Sequence, residues 1–106
     1  MSKPKLTLEF LSGPLDGLTV TLEAETDWSR SGDGPLSFPW DEELGTPQAR
    51  FVIDNGQWQL EALPSERSTR HNMDRVEGAV SLEKGNLLKS AHSWLLITEI
   101  SPKKET

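Results

Sequence analysis

Apolar and polar residues alternate along much of this chain, and the alternation has the period of a β-strand rather than of a helix. Leu6, Leu8 and Phe10 alternate with Thr7 and Glu9, which predicts one half-buried strand. Gly13-Pro14-Leu15-Asp16-Gly17 follows, a turn with a glycine at each end. Leu18, Val20 and Leu22 then alternate with Thr19, Thr21 and Glu23, so the two strands are expected to pair as a hairpin with threonines on the solvent face. The strongest local signal runs from Val52 to Leu60, where two apolar runs flank Asn55-Gly56. Asn-Gly supplies the two positive-φ residues of a type I′ turn, which predicts a tight hairpin.

The rest of the pattern is all-β as well. Ala24 to Gly45 is irregular, with Gly32, Gly34, Pro35 and Pro39, and short strands are expected near Trp28 and at Leu36 to Phe38. Pro47 opens the run into Phe51-Val52-Ile53, and Trp58, Leu60 and Ala62 alternate after the turn. Leu63 to Asn72 is polar and reads as a long loop, and Val76 is a candidate strand start. Val80 and Leu82 alternate around Ser81, Glu83-Lys84-Gly85-Asn86 is a second strong turn, and Leu87-Leu88 and Trp94 to Ile100 give the last two strands. No window shows a capped helical period. Short strands with turn signals every 8–12 residues or so predict a two-sheet β-sandwich or a small barrel.

Length and charge narrow the options. The chain has 106 residues, enough for one domain. It contains no cysteine, which removes disulfides, thiolate metal sites and cysteine nucleophiles, and suits a reducing compartment. The formal charge of −6 makes nucleic acid a poor partner, because Lys and Arg drive phosphate neutralisation. No apolar run approaches the roughly 20 residues of a membrane helix, and Met1 to Lys5 leads straight into the first strand without a signal-peptide core. A cytoplasmic monomer with Met1 as its natural start is the expectation. The polar tail 101–106 reads as disordered or as a linker.

The order of landmarks resembles that of the forkhead-associated (FHA) domain family. Gly13-Pro14-Leu15-Asp16-Gly17 is similar to the family's turn after its first strand. Trp28-Ser29-Arg30 sits where the family has an apolar residue followed by Gly-Arg, and Asp41 to Phe51 takes the place of its Asp-x-x-apolar-Ser-Arg-x-His-Ala stretch. Trp58 to Leu63 leads to a loop in which Ser65-Glu66-Arg67-Ser68-Thr69 stands for Ser-x-Asn-Gly-Thr, with Asn72 beyond it. Leu82-Glu83-Lys84-Gly85-Asn86-Leu87-Leu88 resembles the Leu-x-x-Gly-Asp-x-apolar turn, and Trp94 to Ile97 falls on the closing strand. The resemblance implies an FHA-type sandwich over 6–100, an extension at 1–5, both termini at one end and binding loops at the other.

The same resemblance implies a phosphothreonine site held by three loops, with an arginine and a serine on the phosphate and an asparagine on the peptide backbone. Phosphate carries close to two charges, and a guanidinium offers it two parallel donors. Arg30 matches the family arginine, but Gly45 stands at the serine, Thr46 at the basic residue after it, Gln48 at the bracing histidine, and Arg67 at the asparagine. Arg30, Gly45, Thr46, Ser65 and Arg67 are therefore the candidate partner-binding residues. The site is either rebuilt, with Arg30, Thr46, Arg67 and Arg70 around one anion, or retained as a phosphate-independent surface, or made of solvated charges that never meet. Asp41-Glu42-Glu43 beside it opposes a phosphate and otherwise reads as a solvated loop.

Little else suggests chemistry. His71 and His92 are the only histidines, lack metal-ligand spacing and read as surface or turn residues. No catalytic motif is present, so neither an enzyme nor a cofactor is expected. Of the four tryptophans, Trp58 and Trp94 are expected in the core, while Trp28 and Trp40 pack under the loops or, as the alternative, form a sugar-binding platform. The resulting expectation is a non-enzymatic, phosphate-independent protein–protein interaction module in a bacterial signalling or secretion-related system. A phosphothreonine-peptide reader centred on Arg30 and a carbohydrate-binding sandwich are the alternatives.

Overall fold

The computed structural model describes residues 4–32, 34–64 and 67–101. Ten strands follow one another: β1 Lys5–Phe10, β2 Thr19–Leu22, β3 Thr26–Trp28, β4 Ala49–Asp54, β5 Gln57–Ala62, β6 Thr69–His71, β7 Asp74–Arg75, β8 Ala79–Ser81, β9 Leu87–Ser90 and β10 Ser93–Ser101. They build two antiparallel sheets, one of six strands in the order β2-β1-β10-β9-β6-β7 and one of four in the order β3-β4-β5-β8. The expected all-β, two-sheet β-sandwich is the architecture found. Lys5 pairs with Ser101, so the described chain ends meet at one end of the sandwich.

The sheets close on each other through the alternating apolar positions. Leu6, Leu8 and Phe10 of β1 and Leu95 and Ile97 of β10 face Phe51, Trp58 and Leu60 of the smaller sheet, all buried. Each such side chain contributes about 1.5–3 kcal/mol by leaving water. The β1–β2 hairpin forms as the alternation predicts, with Leu6 opposite Leu22 and the outer Thr7 and Thr21 hydroxyls 2.9 Å apart. Leu18 is not part of it, being 46% exposed in the turn before β2. Asn55 and Gly56 both take positive φ, 52° and 75°, and join β4 to β5 with Asp54 opposite Gln57. β10 carries one extra residue near Thr98, where the register against β1 shifts, so that Leu95, Ile97 and Ile100 all reach the core.

Several expectations from the sequence need correction. Trp94 lies on the outer face of its sheet, half-buried, because Leu95 and Ile97 take the inner positions. Leu36 to Phe38 makes one isolated bridge, Ser29 to Ser37, rather than a strand. Leu36 and Phe38 still fill the core, where the Phe38 ring lies 4.9 Å from Phe10 and stacks at 4.9 Å on Trp40. The polar stretch 63–72 is not all loop, since Thr69–His71 is β6. Val76 follows β7 instead of opening a strand, and its N–H donates to the Thr69 carbonyl at 2.9 Å.

The β6–β7 turn has no glycine. His71 pairs with Asp74 across Asn72-Met73, both with positive φ, 50° and 74°. Left-handed backbone is costly for a side chain like that of Met73, which is itself 53% exposed. Met73→Gly is expected to raise stability by about 0.5–1 kcal/mol, the left-handed penalty less glycine's chain entropy. A urea midpoint that stays put or falls in that variant would show the turn is not of this type.

Candidate functional site

The end of the sandwich opposite the described chain ends is built by the β1–β2 turn, the long β3–β4 connection, the β5–β6 loop and the β9–β10 turn. Polar side chains tie these loops together, Asp41 and Gln48 buried and Ser12 half-buried. Ser12 Oγ donates to the His92 carbonyl at 3.0 Å and accepts from the Trp94 N–H at 3.1 Å. Gly13 takes φ +78° against the Trp40 indole, where an added Cβ would lie 2.6 Å from Nε1. The first turn therefore sits close on the β3–β4 connection only because this position is glycine.

Asp41 is the pin between the β3–β4 connection and the β9–β10 turn. It is 2% exposed. One carboxylate oxygen accepts from Ser93 Oγ at 2.6 Å and the His92 N–H at 3.0 Å, and the other from the Glu43 N–H at 3.3 Å. The reading of Asp41-Glu42-Glu43 as a solvated run is thus wrong for Asp41, which is a buried acceptor with two of its three donors, His92 and Ser93, far along the chain. Among the described residues no group of three His, Cys, Asp or Glu side chains is placed to hold a metal ion.

Gln48, fully buried, joins three segments. Its Oε1 accepts from the Gly45 N–H at 2.8 Å, and its Nε2 donates to the Arg67 carbonyl at 2.7 Å and to Thr69 Oγ1 at 3.0 Å. Ser90 Oγ completes the chain by donating to Thr69 Oγ1 at 3.0 Å. An amide can do this because it offers an acceptor and two donors in one plane. Gln48 and Asp41 organise the loops, yet neither was among the candidate binding residues. For Gln48 the signal was its place where the resemblance puts a bracing histidine.

The candidate binding residues are distributed over this end as follows. The Arg30 N–H donates to the Gly45 carbonyl at 3.0 Å, and the Arg30 guanidinium donates from Nη1 to the Glu42 carbonyl at 3.1 Å. Arg30 and Gly45 are therefore neighbours. Thr46, which precedes a cis bond to Pro47, lines a depression with Ser29, Ser31 and Ser37. Arg67 lines a different one, of about 340 Å³, with Glu43, Arg70, Lys89 and His92. Ser65 lies outside the described residues. Among the described residues, Thr46 and Arg67 line separate depressions.

Glu43 dominates the electrostatics of the second depression. Its carboxylate forms an ion pair with the Arg67 guanidinium and a close contact with the His92 imidazole, which is an ion pair only when that ring is protonated. The hydrogen bond from Arg67, opposed by partial desolvation and helped by His92, holds the Glu43 carboxyl below the usual carboxylate range. His92 is an exposed turn residue, as expected, but His71 is not. The His71 ring is half-buried in β6 and hydrogen-bonded through Nε2 to Asn86 Oδ1 at 2.7 Å. Of the tryptophans, Trp28 and Trp58 are buried and Trp40 is stacked on Phe38, so they present no exposed coplanar set.

Two antiparallel sheets in this strand order, packed as a sandwich, make the fold that of an FHA domain. An FHA domain of an Arabidopsis thaliana hypothetical protein superposes with TM-score 0.82 at 23% identity, covering 98% of this chain and 92% of that one. The kinase-interacting FHA domain of the Arabidopsis kinase associated protein phosphatase gives 0.79 at 18%, covering 99% and 100%. An FHA domain described for its phosphothreonine-dependent interactions gives 0.76 at 23%, covering 90% and 96%. No protein-family model matches the sequence, and no curated protein matches it.

Proposed function

We propose that this domain is a non-enzymatic protein–protein interaction module that binds its partner through the loop end without requiring phosphate. Similar folds support the first half of the reading, since one is a kinase-interacting domain and another is known for phosphothreonine-dependent interactions. One observation carries the second half. An internal carboxylate, that of Glu43, already sits on Arg67 and His92, while the Arg30 guanidinium is bonded to the Glu42 carbonyl. A phosphothreonine would have to displace a like charge that is covalently present at high effective concentration. Gly45 offers no hydroxyl in its place. We take the module to be a cytoplasmic monomer, as the acidic, cysteine-free sequence suggests.

A phosphothreonine reader is the second reading, favoured by the convergence of Arg67, Arg70, Lys89 and His92 on one depression. Titration with a pool of phosphothreonine peptides and with its unphosphorylated twin, at low and high salt, separates the two. The expected result is equal, weak binding by the natural chain. In Glu43→Ala, a preference for the phosphorylated pool is expected to emerge, because Arg67 and His92 then lack that carboxylate. A clear phosphate preference in the natural chain, lost in Arg30→Ala, would replace the proposal with the second reading.

A further inference from the structure

The outer face of the six-stranded sheet carries an arrangement that folding alone does not favour. Trp94 of β10 stands directly opposite Lys89 of β9, Lys89 opposite Arg70 of β6, and Arg70 opposite Arg75 of β7. Residues directly opposite in antiparallel strands share a face with their Cβ atoms about 4.5–5.5 Å apart, and like charges so placed repel. Two such repulsive pairs follow one another here. They do so in a chain of 17 acidic and 11 basic residues, where carboxylates to separate them are in surplus.

No such separation is made. Among the described residues the ion pairs are Lys5–Glu23, Arg50–Asp27, Arg67–Glu43, Lys84–Glu99 and, when the ring is protonated, His92–Glu43, and none involves Arg70, Arg75 or Lys89. The contacts that Arg70 and Lys89 make do not neutralise them. Arg70 donates from Nη1 to the Met73 carbonyl at 3.1 Å, and Lys89 Nζ lies 5.3 Å above the centre of the Trp94 ring. Arg70 and Lys89 both line the depression that leads to Arg67 and His92. The neighbouring cross-strand pair on the same face, Leu87 opposite Leu96, is half-buried and apolar.

We propose that this row docks a short acidic peptide segment of a partner protein, with carboxylates on Arg70, Arg75 and Lys89 and an apolar side chain against Trp94 and Leu96. Guanidinium groups take carboxylates in two parallel hydrogen bonds, and the indole supplies an amphipathic platform beside them. Charge complementarity selects this occupant over a long polyanion. The molecule as a whole is acidic, with Glu9 opposite Leu96 and Glu43 at the other end of the depression. A duplex or a membrane surface meets that field over its whole contact. A short segment, several side chains long, meets mainly the basic row within about one Debye length, ~8 Å at physiological salt. The inference concerns the sheet face and stands whether or not the loop end reads phosphate.

The test uses the full chain and an oligoglutamate peptide with one central leucine, followed by amide chemical-shift mapping and anisotropy. Binding that weakens with salt, with shifts centred on Arg70, Arg75, Lys89 and Trp94, is expected. Arg70→Glu should lower affinity by about tenfold or more, as loss of a charge-assisted contact does. That reversal turns both repulsive pairs into attractive ones, so its thermal midpoint should hold or rise, which separates lost binding from lost fold. Lys89→Glu should behave alike, and Arg70→Lys should keep most of the affinity. The proposal is overturned by absent binding, by shifts centred elsewhere, or by an Arg70→Glu variant that binds as the natural chain does. Tighter binding of oligothymidylate or of phosphatidylserine vesicles than of the peptide would overturn it equally.

Discussion

Gln48→Leu is expected to destabilise the domain by about 3 kcal/mol, although leucine nearly matches glutamine in volume and the site is fully buried. The loss arises from what glutamine leaves behind. The Gly45 N–H, the Arg67 carbonyl and Thr69 Oγ1 all lose a partner in the interior of the loop end. An unsatisfied buried polar group costs about 1–3 kcal/mol, and partial relaxation toward water reduces the sum. Gln48→Glu is the sharper control. It keeps the shape and the acceptor for Gly45 but sets an oxygen against the Arg67 carbonyl, so it should cost at least as much at neutral pH. Urea unfolding of both variants measures this. If Gln48→Glu unfolds like the natural chain, Gln48 acts by shape and the bracing role assigned to it is wrong.

That glutamine marks how far the sequence could be read. The strands with clean alternation were legible from local pattern: β1 and β2, and β4 and β5 across Asn55-Gly56. β6 was not, because its buried residue is Thr69, whose hydrogen-bond partners Gln48 and Ser90 both lie 21 residues away. A polar side chain satisfied at that distance looks in sequence like any loop threonine. The turn after β6 hid for a different reason, since Met73 is not a residue that announces positive φ. Trp94 was placed on the wrong face because a long strand with an extra residue contains two alternation frames, and only pairing with β1 decides between them.

The loop end was less legible than the sheets. Arg30 and Gly45 are placed side by side by a backbone hydrogen bond. The acidic run looked like a reason for anions to stay away and turned out to be part of the architecture. Each of its residues makes a tertiary contact: Asp41 with the β9–β10 turn, Glu42 with the Arg30 guanidinium through its carbonyl, and Glu43 with the Arg67 guanidinium and the His92 ring of that same turn. The basic row on the sheet had no local signal, because Arg70, Arg75, Lys89 and Trp94 become neighbours only through strand pairing.

Asp41→Ala is expected to cost about 3–4 kcal/mol, a loss of the size seen when a buried charged acceptor leaves several donors unpaired. Ser93 Oγ, the His92 N–H and the Glu43 N–H would all lose it, at a position 2% exposed. Asp41→Asn keeps the volume and one acceptor oxygen but turns an amide toward at least one of those donors, so it should recover only part of the loss. The two variants separate packing from hydrogen bonding, because a cavity alone would leave the asparagine form as stable as the natural chain. Amide exchange adds a local readout. Faster exchange at His92 and Glu43 in Asp41→Asn, with the β1–β10 ladder still protected, would locate the loss in the tie between the β3–β4 connection and the β9–β10 turn. Since Glu43 is positioned by the same carboxylate, loosening that tie also loosens its contacts with Arg67 and His92. An Asp41→Asn variant with natural stability and unchanged exchange would remove Asp41 from that role.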